Sequence, residues 1–425
     1  MLNYRVLLTM GLCFFLGTLL GMMIHLPGVS FHLNQMDSST NPKFGELYRS
    51  QRAVLEDSSN TEAPAELDTE QEGPSIQSTV FVGKKMIHKK DLFGLNGAPQ
   101  HRMKDIQGSL VQGCFWSDEL EKFVPRGFTK NHQISWNNHL QSTRVVELSE
   151  GCGRMQNRRL VFEDASKACA RYRINIDQIQ GEIFSYYLAR LLNLENVPAS
   201  TTHKINVRNK LWKSVSTEIA SSQWSDEKPL VLTQWINDLV PAYIPVYFRD
   251  NQNQLNPNEI SIYNKTLSDL TELVQWSDLI IFDYLTANID RVINNVFNKQ
   301  WNSNIMEKPV HNLEKTRDSG LLVFIDNESG LFHSYRLLEK YSPYHEQLLK
   351  SLCIFRKRTS KRIKEFAENG RISEAVWQLF KRTEPEISAN LVPQIPSKNG
   401  KILRERLRNV WRHIQKCQQM YGGSL

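Results

Sequence analysis

The stretch Asp283-Tyr-Leu-Thr-Ala-Asn-Ile-Asp-Arg-Val-Ile-Asn-Asn-Val-Phe297 decides the fold of this chain. It ends an apolar run that begins near Thr266, where Thr266 and Asp269 have the spacing of a helix-capping pair. Apolar residues then recur at helical intervals up to the quoted stretch. The pattern predicts a long buried helix, with two polar residues, Asp290 and Asn295, just beyond its carboxyl end.

Asp290 and Asn295 have the spacing at which protein kinases place a catalytic aspartate and a metal-binding asparagine. Such a pair also arises often by chance, so its surroundings matter. Downstream, residues 321–325 form an apolar run typical of a buried strand, and Asp326 follows it directly. Phosphoryl transfer needs a second metal carboxylate at such a place. We predict Asp290 as the catalytic residue, and Asn295 and Asp326 as metal ligands. The simpler alternative for Asp326 is an ordinary turn residue.

The order of strand-like and helical segments predicts the architecture. Three strand patterns come first, at residues 145–149, 159–162 and 167–173. A helical pattern begins at Asp177, and a further buried strand follows at residues 230–235. After residue 335 the patterns are helical, with an interruption near residues 385–396. We expect an α+β, two-lobed fold of the protein-kinase type, with a small strand-rich N-lobe (about 111–235) and a larger helical C-lobe (about 236–425).

Arg171 lies on the third predicted strand and Glu182 on the helix that follows it. In kinases a strand cation paired with a helix carboxylate positions the nucleotide phosphates. Arg173 lies on the same strand face and competes for this role. An ordinary surface arginine and a solvated glutamate are the alternative. Gly151 and Gly153 could let backbone amides approach phosphate, although a plain hairpin turn explains them equally well.

The N-terminus predicts a membrane-anchored, lumenal protein. Residues 6–24 are uncharged and about long enough to cross a bilayer as a helix, and Arg5 favours a cytoplasmic start. We therefore expect a cytoplasmic tail (1–5), a signal-anchor helix (6–25), a disordered stem (26–110) and a lumenal domain (111–425). The stem is rich in polar residues and poor in aromatic ones. A cleaved signal peptide, or cleavage within the stem with secretion, is the alternative.

Cysteine usage agrees with an oxidising compartment. The five cysteines beyond the apolar segment have no Cys-x-x-Cys spacing, which argues against zinc: Cys114, Cys152, Cys169, Cys353 and Cys417. They should mostly pair in a lumen, and the odd count leaves at least one free or bonded to another chain. Their connectivity stays open.

Two sequons and one basic run complete the sequence signals. Asn264 is an acceptor for N-glycosylation. Asn327 is a second formal acceptor, but we predict it is unmodified because a glycan there would fill the metal site. The basic run at residues 356–364 is expected to be a solvated helix face, or else a patch for acidic substrate or nucleotide. A lumenal location makes nucleic acid a poor partner.

Several stretches together resemble the Four-jointed family, which is related to the secretory-pathway Golgi kinases. They are Gly151-Cys-Gly-Arg-Met-Gln-Asn-Arg158, Ala168-Cys-Ala-Arg-Tyr-Arg173, Asp177-Gln-Ile-Gln-Gly-Glu-Ile-Phe-Ser-Tyr-Tyr-Leu188, Asp283-Tyr-Leu-Thr-Ala-Asn-Ile-Asp-Arg291 and Phe324-Ile-Asp-Asn-Glu-Ser-Gly330. The resemblance covers about residues 110–425 and the type II membrane layout.

The resemblance implies a Golgi serine/threonine kinase that uses ATP with Mg²⁺ or Mn²⁺. It implies extracellular cadherin repeats of Fat and Dachsous type as substrates, and a role in planar cell polarity and growth control. It assigns Asp290 as the catalytic residue, Asn295 and Asp326 as metal ligands, and Glu182 as the partner of the strand cation. Arg171 stands where other secretory kinases have lysine. The kinase Asp-Phe-Gly is here Asp-Asn-Glu, beginning at Asp326.

Two other function classes stay open at this point. Arg171 motivates a catalytically weak pseudokinase or a secreted signalling ligand, which metal-dependent ATP binding would separate from an active kinase. The anchor and stem also suit a type II Golgi glycosyltransferase. Many such enzymes bind metal through Asp-x-Asp, which this sequence lacks. A preference for ATP over a sugar nucleotide would separate these two classes.

Overall fold

The computed structural model describes residues 110–250 and 252–422. Its main sheet has five antiparallel strands in the order β3-β4-β5-β7-β6. A second sheet has the order β8-β9-β10, and β1 pairs with β2. The strands are β1 Val111–Gln112, β2 Phe115–Trp116, β3 Val145–Glu150, β4 Arg158–Phe162, β5 Lys167–Tyr172, β6 Ser200–Lys204, β7 Pro229–Gln234, β8 Leu239–Tyr243, β9 Pro309–Thr316 and β10 Leu322–Phe324.

Helices dominate the second half of the described chain. They are α1 Asp118–Glu121, α2 Lys130–Ser142, α3 Ile176–Leu191, α4 Ser216–Ser221, α5 Leu267–Thr286, α6 Val292–Asn298, α7 Leu338–Lys350, α8 Lys357–Asn369, α9 Ile372–Thr383, α10 Pro385–Asn390 and α11 Ser397–Tyr421. Short 3₁₀ turns connect several of them. The predicted order, a strand-rich part followed by a helical part, is confirmed.

Strands β5 and β7 of the main sheet are buried on both faces, whereas β3 at the edge has exposed residues on one face. Leu230 and Leu232 of β7 pack with Trp136 in one hydrophobic cluster. Val231, between them, belongs to the larger cluster that contains α3. Successive side chains of a strand point to opposite faces, so β7 has apolar residues at three successive positions, 230–232. Strand β7 is thus fixed between two packed layers.

Helix α3 carries Glu182 and is itself enclosed. Asn175 caps it by accepting a hydrogen bond from the Asp177 amide, and residues 179–189 are all buried. Gly181 is required here by a close approach of backbone. A Cβ at this position would lie 2.3 Å from the Glu328 carbonyl oxygen, which is too close for any other residue. The glycine therefore lets the loop after β10 pack directly on α3.

Helix α5 and strand β10 deliver the two acidic loops of the site. Thr266 and Asp269 form the predicted capping box at the start of α5. The helix ends at Ala287, whose left-handed conformation (φ 54°) turns the chain toward Asp290. Strand β10 is buried throughout, pairs with β9, and leads into Asp326. Both connections follow the sequence prediction.

The structure differs from prediction at the start of the folded part and at one residue of the basic run. Leu110, assigned to the stem, is 1% exposed, and its carbonyl oxygen accepts the Ser117 amide at 2.9 Å. The folded part therefore includes it. The basic run is a solvated helix face in part, as expected, because Lys361 and Lys364 are exposed on α8. Arg356, just before that helix, is instead buried between Asp278 and Glu121, at 2.9 and 2.6 Å. That arginine is an internal ion-pair partner rather than a free surface charge.

The predicted anchor (6–25) and the stem up to residue 109 lie outside the described residues. Within residues 110–250 and 252–422, no helix combines the length and the hydropathy that crossing a bilayer requires. Two disulfides form, Cys152–Cys169 and Cys353–Cys417. Cys114 is a buried free thiol, so the prediction of pairing with one cysteine left over is confirmed.

Candidate active site

Arg171 is the buried cation at the centre of the site. It lies on β5, and its Nη1 is 2.9 Å from Asp326 Oδ2. Its Nε is farther, 3.7 Å, from Glu182 Oε1. Because the two carboxylates lie on different elements, this one side chain connects β5, helix α3 and the loop after β10. The strand cation and helix carboxylate predicted from sequence do meet, but the shorter contact is to Asp326.

The pKa values of Asp326 and Glu182 are shifted in opposite directions. Burial alone would raise the pKa of Asp326, but the charges of Arg171 and Arg173 outweigh it and hold that pKa below its usual value. Burial raises the pKa of Glu182 to about 7; Arg171, 3.7 Å away, opposes the rise, and the Asp326 carboxylate adds to it. Asp326 is therefore the carboxylate that stays ionised, as a metal ligand must.

Glu328 and two arginines form a second ion-pair set beside the first. Arg173 Nη2 lies 2.6 Å from Glu328 Oε2, and Arg154 Nε lies 3.1 Å from Glu328 Oε1. Arg171 and Arg173 are two residues apart, as are Asp326 and Glu328. Each arginine thus pairs with the acid in the matching position. Arg173 does not displace Arg171, as the sequence had left open, but has its own partner.

The turn between β3 and β4 lies over this second set, because it carries Arg154. Gly153 adopts φ 85°, and a side chain there would meet nothing within 4 Å. Asn157 fixes the turn by donating to the Cys152 carbonyl oxygen and accepting from Arg173, both at 2.6 Å. The Cys152–Cys169 disulfide joins the turn to β5. The glycine turn, with Gly151 at its start, is thus held at the site, although contact of its amides with phosphate stays a prediction.

Asp290 lies beside the same site, close enough for the charges of Asp326 and Arg154 to act on it. Its amide donates to Asn288 Oδ1 at 2.9 Å, and its carbonyl oxygen accepts from Asn312 of β9 at 3.2 Å. Burial raises the pKa of Asp290, the Asp326 carboxylate raises it further, and Arg154 opposes the rise. A carboxylate with a raised pKa is a better proton acceptor than an ordinary aspartate. The sequence pair Asp290 and Asp326 is therefore brought together in space.

Asn295 is placed differently. It is 3% exposed on α6, and its side-chain amide donates to the Ile305 carbonyl oxygen at 2.8 Å. Within the described part of the chain, no hydrogen bond joins it to Asp290 or Asp326. The conformation seen here supports the loop that follows α6, and the predicted role as a metal ligand stays a prediction.

Sequence reasoning missed the roles of Glu328, Arg154 and Arg291. Glu328 follows Asp326 by two positions, and Arg173 follows Arg171 by two, so a matched pair of charges was the available signal. The burial of Glu328 (2%) could not be read from a loop sequence. Arg291, which directly follows Asp290, has no exposed surface. A fully buried arginine signals a set of internal acceptors, but only long-range contacts identify them.

Similarity to known proteins decides the family. The Four-jointed box protein middle domain matches residues 131–420. This chain belongs to the Four-jointed box protein family. The extracellular serine/threonine protein kinase four-jointed of Drosophila melanogaster is 39% identical over 359 residues, covering 73% of this chain and 61% of the fly protein. The chain thus spans less than two thirds of the length of that relative.

Vertebrate members of the Four-jointed family are equally similar. Four-jointed box protein 1 of Xiphophorus maculatus is 40% identical, covering 73% of this chain and 72% of the relative. The human protein of the same name is 38% identical, covering 73% and 71%. Among solved structures, the Golgi casein kinase with Mn/ADP bound aligns at a TM-score of 0.45 and 12% identity, covering 94% of this chain and 95% of that one. Hydra Fam20 with sugar aligns at 0.43 and 14%, covering 76% and 96%.

Proposed function

We propose that this chain is a protein kinase of the secretory pathway that transfers phosphate from ATP to serine or threonine of extracellular proteins. The observation that carries the proposal is the contact of Arg171 with Asp326, beside Glu182 and Asp290. One buried cation and three acids converge there from a strand, a helix and two loops. Phosphoryl transfer requires this combination, a cation for phosphate, carboxylates for metal and an acceptor for the hydroxyl proton.

The carboxylates suit Mg²⁺ or Mn²⁺. Both ions prefer oxygen ligands. Burial, and then the charge of the nearby Asp326, raise the pKa of Asp290, Glu182 and Glu328. Asp326 would hold the metal, with Asn295 as the predicted second ligand after a change of side-chain rotamer. A bound divalent ion would neutralise negative charge on the phosphates.

The roles of the chain's own side chains follow from their positions. Arg171 would bind the nucleotide phosphates while Glu182 holds it on the side of helix α3. Asp290 would accept or orient the proton of the attacking hydroxyl group. The glycine turn, fixed by Asn157 and the Cys152–Cys169 disulfide, would cover the phosphates. None of these roles needs a covalent intermediate, because positioning and charge supply most of the catalysis.

The substrates we propose are extracellular cadherin repeats of Fat and Dachsous type, with consequences for planar cell polarity and growth. Membership of the Four-jointed family supports this, and the fly relative is named an extracellular kinase. We also propose a Golgi location with a type II anchor at residues 6–25, and possible release by cleavage of the stem. Two disulfides and an exposed Asn264 sequon favour a lumenal domain.

The test is incubation of the purified full-length chain with labelled ATP, divalent metal and a cadherin-repeat fragment. Label should enter serine or threonine of the fragment, and Asp326→Ala should abolish it while the protein stays folded. Transfer that persists in a clean Asp326→Ala preparation would exclude this site as the catalyst.

A pseudokinase is the second candidate, favoured by one observation. Arg171 replaces the lysine of other secretory kinases and bonds Asp326 directly, so it competes with metal for that carboxylate. A thermal-shift assay separates the candidates. Stabilisation by ATP with Mg²⁺ or Mn²⁺, without phosphate transfer, would favour the pseudokinase. Stabilisation by a sugar nucleotide instead of ATP would indicate a glycosyltransferase.

A further inference from the structure

Arg291 joins its own loop to three other segments around the site through hydrogen bonds and an ion pair. Its Nε donates to the Asn312 carbonyl oxygen at 3.0 Å, and its Nη1 pairs with Asp283 of helix α5. Its Nη2 donates to the Ile325 carbonyl oxygen and to Asn327 Oδ1, both at 2.9 Å. A guanidinium has five donors in a fixed plane, so this set holds the Asp290 loop against β9 and the loop after β10.

Asn327 continues the connection to helix α3. Its backbone amide donates to Glu182 Oε2 at 2.6 Å, and its side-chain amide donates to the Phe324 carbonyl oxygen at 3.1 Å. It is 1% exposed. Its side-chain oxygen accepts from Arg291. One residue therefore links Glu182, on one side of the site, to the arginine that follows Asp290 on the other.

We propose that Arg291 and Asn327 are positioning residues that hold the Glu182 helix and the Asp290 loop in register. This inference rests on the proposed kinase function and adds two residues to its machinery. Asn327 occupies the place of the phenylalanine in the kinase Asp-Phe-Gly. A buried apolar ring there can pack in alternative ways, whereas Asn327 is fixed by directional bonds on both sides. The acidic loops are thus held together by polar contacts, with Asp326 between them.

Further hydrogen bonds between the two loops support the same proposal. Ser329 Oγ donates to Asn288 Oδ1 at 3.3 Å, and the same oxygen accepts the Asp290 amide. The Leu331 amide also donates to the Thr286 carbonyl oxygen at 2.8 Å. The loop after β10 therefore supports the Asp290 loop along its length, and Asn327 links Arg291 of the Asp290 loop to Glu182.

A double-mutant cycle on the full-length chain tests the proposal. Arg291→Lys keeps the charge beside Asp283 but cannot reach all four acceptors, and Asn327→Ala removes the acceptor for Arg291. Each single variant should lower kcat roughly 10- to 100-fold, the range expected for one hydrogen bond to a charged group. The double variant should match the slower single variant within about twofold, because both act through one bond. Losses that multiply would overturn the proposal.

Asn196→Ala is the matched control. Asn196 is also a buried asparagine that bonds the β10 strand, donating to the Leu322 carbonyl oxygen at 2.8 Å and to Gln275 at 3.0 Å. Within the described residues, no hydrogen bond joins it to either acidic loop. Its loss should lower the Tm but leave kcat unchanged. An equal fall of kcat in this control would mean that loss of β10 support explains the variants, rather than loss of the Asn327–Arg291 hydrogen bond, which we call the bridge.

Two further variants keep the experiment decisive. Asn327→Asp retains an acceptor for Arg291 and should transfer phosphate faster than Asn327→Ala. An equal or slower rate counts against the bridge. Should Asn327→Ala fail to fold, Asn327→Ser takes its place in the cycle, since its hydroxyl is too short to reach Arg291.

Hydrogen exchange tests this proposal independently of the kinase proposal. If the wild-type chain transfers no phosphate, the proposed function fails, and kcat cannot judge the bridge. Exchange of the Asp290 amide still can. Asn327→Ala should speed it roughly tenfold or more, because the loop loses a charged hydrogen bond, while Asn196→Ala should not. Unchanged exchange in Asn327→Ala would overturn the bridge whether or not the chain is a kinase.

Discussion

Arg171 lies closer to Asp326 than to Glu182, at 2.9 against 3.7 Å, so the strand arginine is first of all the partner of the metal carboxylate. Burial lowers the pKa of an arginine, but Asp326 and Glu182 more than offset this and raise the pKa of Arg171. The cation is therefore permanent, and it competes with a divalent metal for the same oxygen. This competition is a physical cost that a lysine, with its single compact ammonium, need not impose.

Arg171→Lys should therefore bind Mn²⁺ more tightly in the absence of nucleotide. Loss of one charged hydrogen bond to Asp326 corresponds to roughly tenfold in affinity. Titration of free Mn²⁺ by electron paramagnetic resonance measures it. Arg159→Lys is the control, because the ion pair of Arg159 with Glu147, at 3.4 Å, is exposed. Unchanged or weaker Mn²⁺ binding in Arg171→Lys would show that Arg171 does not compete for the metal site.

Asp326→Asn should abolish phosphate transfer with little loss of stability. The amide keeps the shape of the carboxylate, and Arg171 retains Glu182, whereas the metal loses its charged ligand. We expect a fall in kcat of roughly 1,000-fold or more, since metal charge neutralisation is worth several kcal/mol. Transfer rate and urea unfolding are measured together. Asp318→Asn, in an exposed turn, should change neither. If Asp326→Asn is inactive because it unfolds, the result would argue against a specific catalytic role for Asp326.

The parts of this site that sequence could predict are those set by local patterns. The capping pair at Thr266 and the apolar period of α5 place Asp290 just past a helix, and the buried run before Asp326 places it just past a strand. Both signals lie within about 25 residues of the acid they locate. Glu182 and Arg171 follow in the same way, from one helix and one strand whose patterns are clear.

The parts that sequence could not predict depend on contacts between distant segments. Glu328 is buried only because Arg154 and Arg173, more than 150 positions earlier, supply its counter-charges. Strand β9 has a mixed polar pattern, yet its Asn312 supports both Asp290 and Arg291. Asn295 has the expected spacing, but its side chain turns toward Ile305. Spacing fixes where a residue falls along the chain, whereas its partner depends on the completed fold.

The Cys152–Cys169 disulfide should matter for nucleotide binding, because it joins the turn that carries Arg154 to the strand that carries Arg171. The double change Cys152→Ser with Cys169→Ser should cost about 3 kcal/mol in unfolding free energy from the 17-residue separation, and should weaken Mn·ADP binding. Removing Cys353–Cys417, with a separation of 64, should cost about 4 kcal/mol but leave affinity unchanged. Calorimetric titration and urea unfolding measure the two effects. Equal losses of affinity in both would argue for a general loosening.

Glycopeptide mapping should find Asn264 modified and Asn327 bare in protein made by a secretory host. Asn264 is exposed at the end of a short 3₁₀ turn, three residues before α5 begins. Asn327 is 1% exposed and bonded to Arg291 and Glu182. Asn264→Gln should shift the mass by one glycan. Asn327→Gln should shift it by none. Occupancy of Asn327 would argue against the whole site assignment, since a glycan cannot share that space.

Glu384 should make stability fall as pH rises from about 4.5 to about 7. It is buried at the end of α9 and accepts from the Thr202 amide at 2.7 Å and the Tyr187 hydroxyl at 2.5 Å. Burial raises its pKa from 4.5 to about 7, with the hydrogen bonds only partly opposing. The folded state then holds a proton that the unfolded state releases between these values. Stability from this group is therefore full at low pH and is lost as pH rises toward 7, by up to about 3 kcal/mol.

Unfolding free energies at pH 5 and pH 7.5 measure this loss of stability, and the decline should be smaller in Glu384→Gln, which cannot titrate. Glu386→Gln, an exposed neighbour, should decline like the wild type. A parallel decline in Glu384→Gln would assign the pH dependence to other buried acids, such as Glu182.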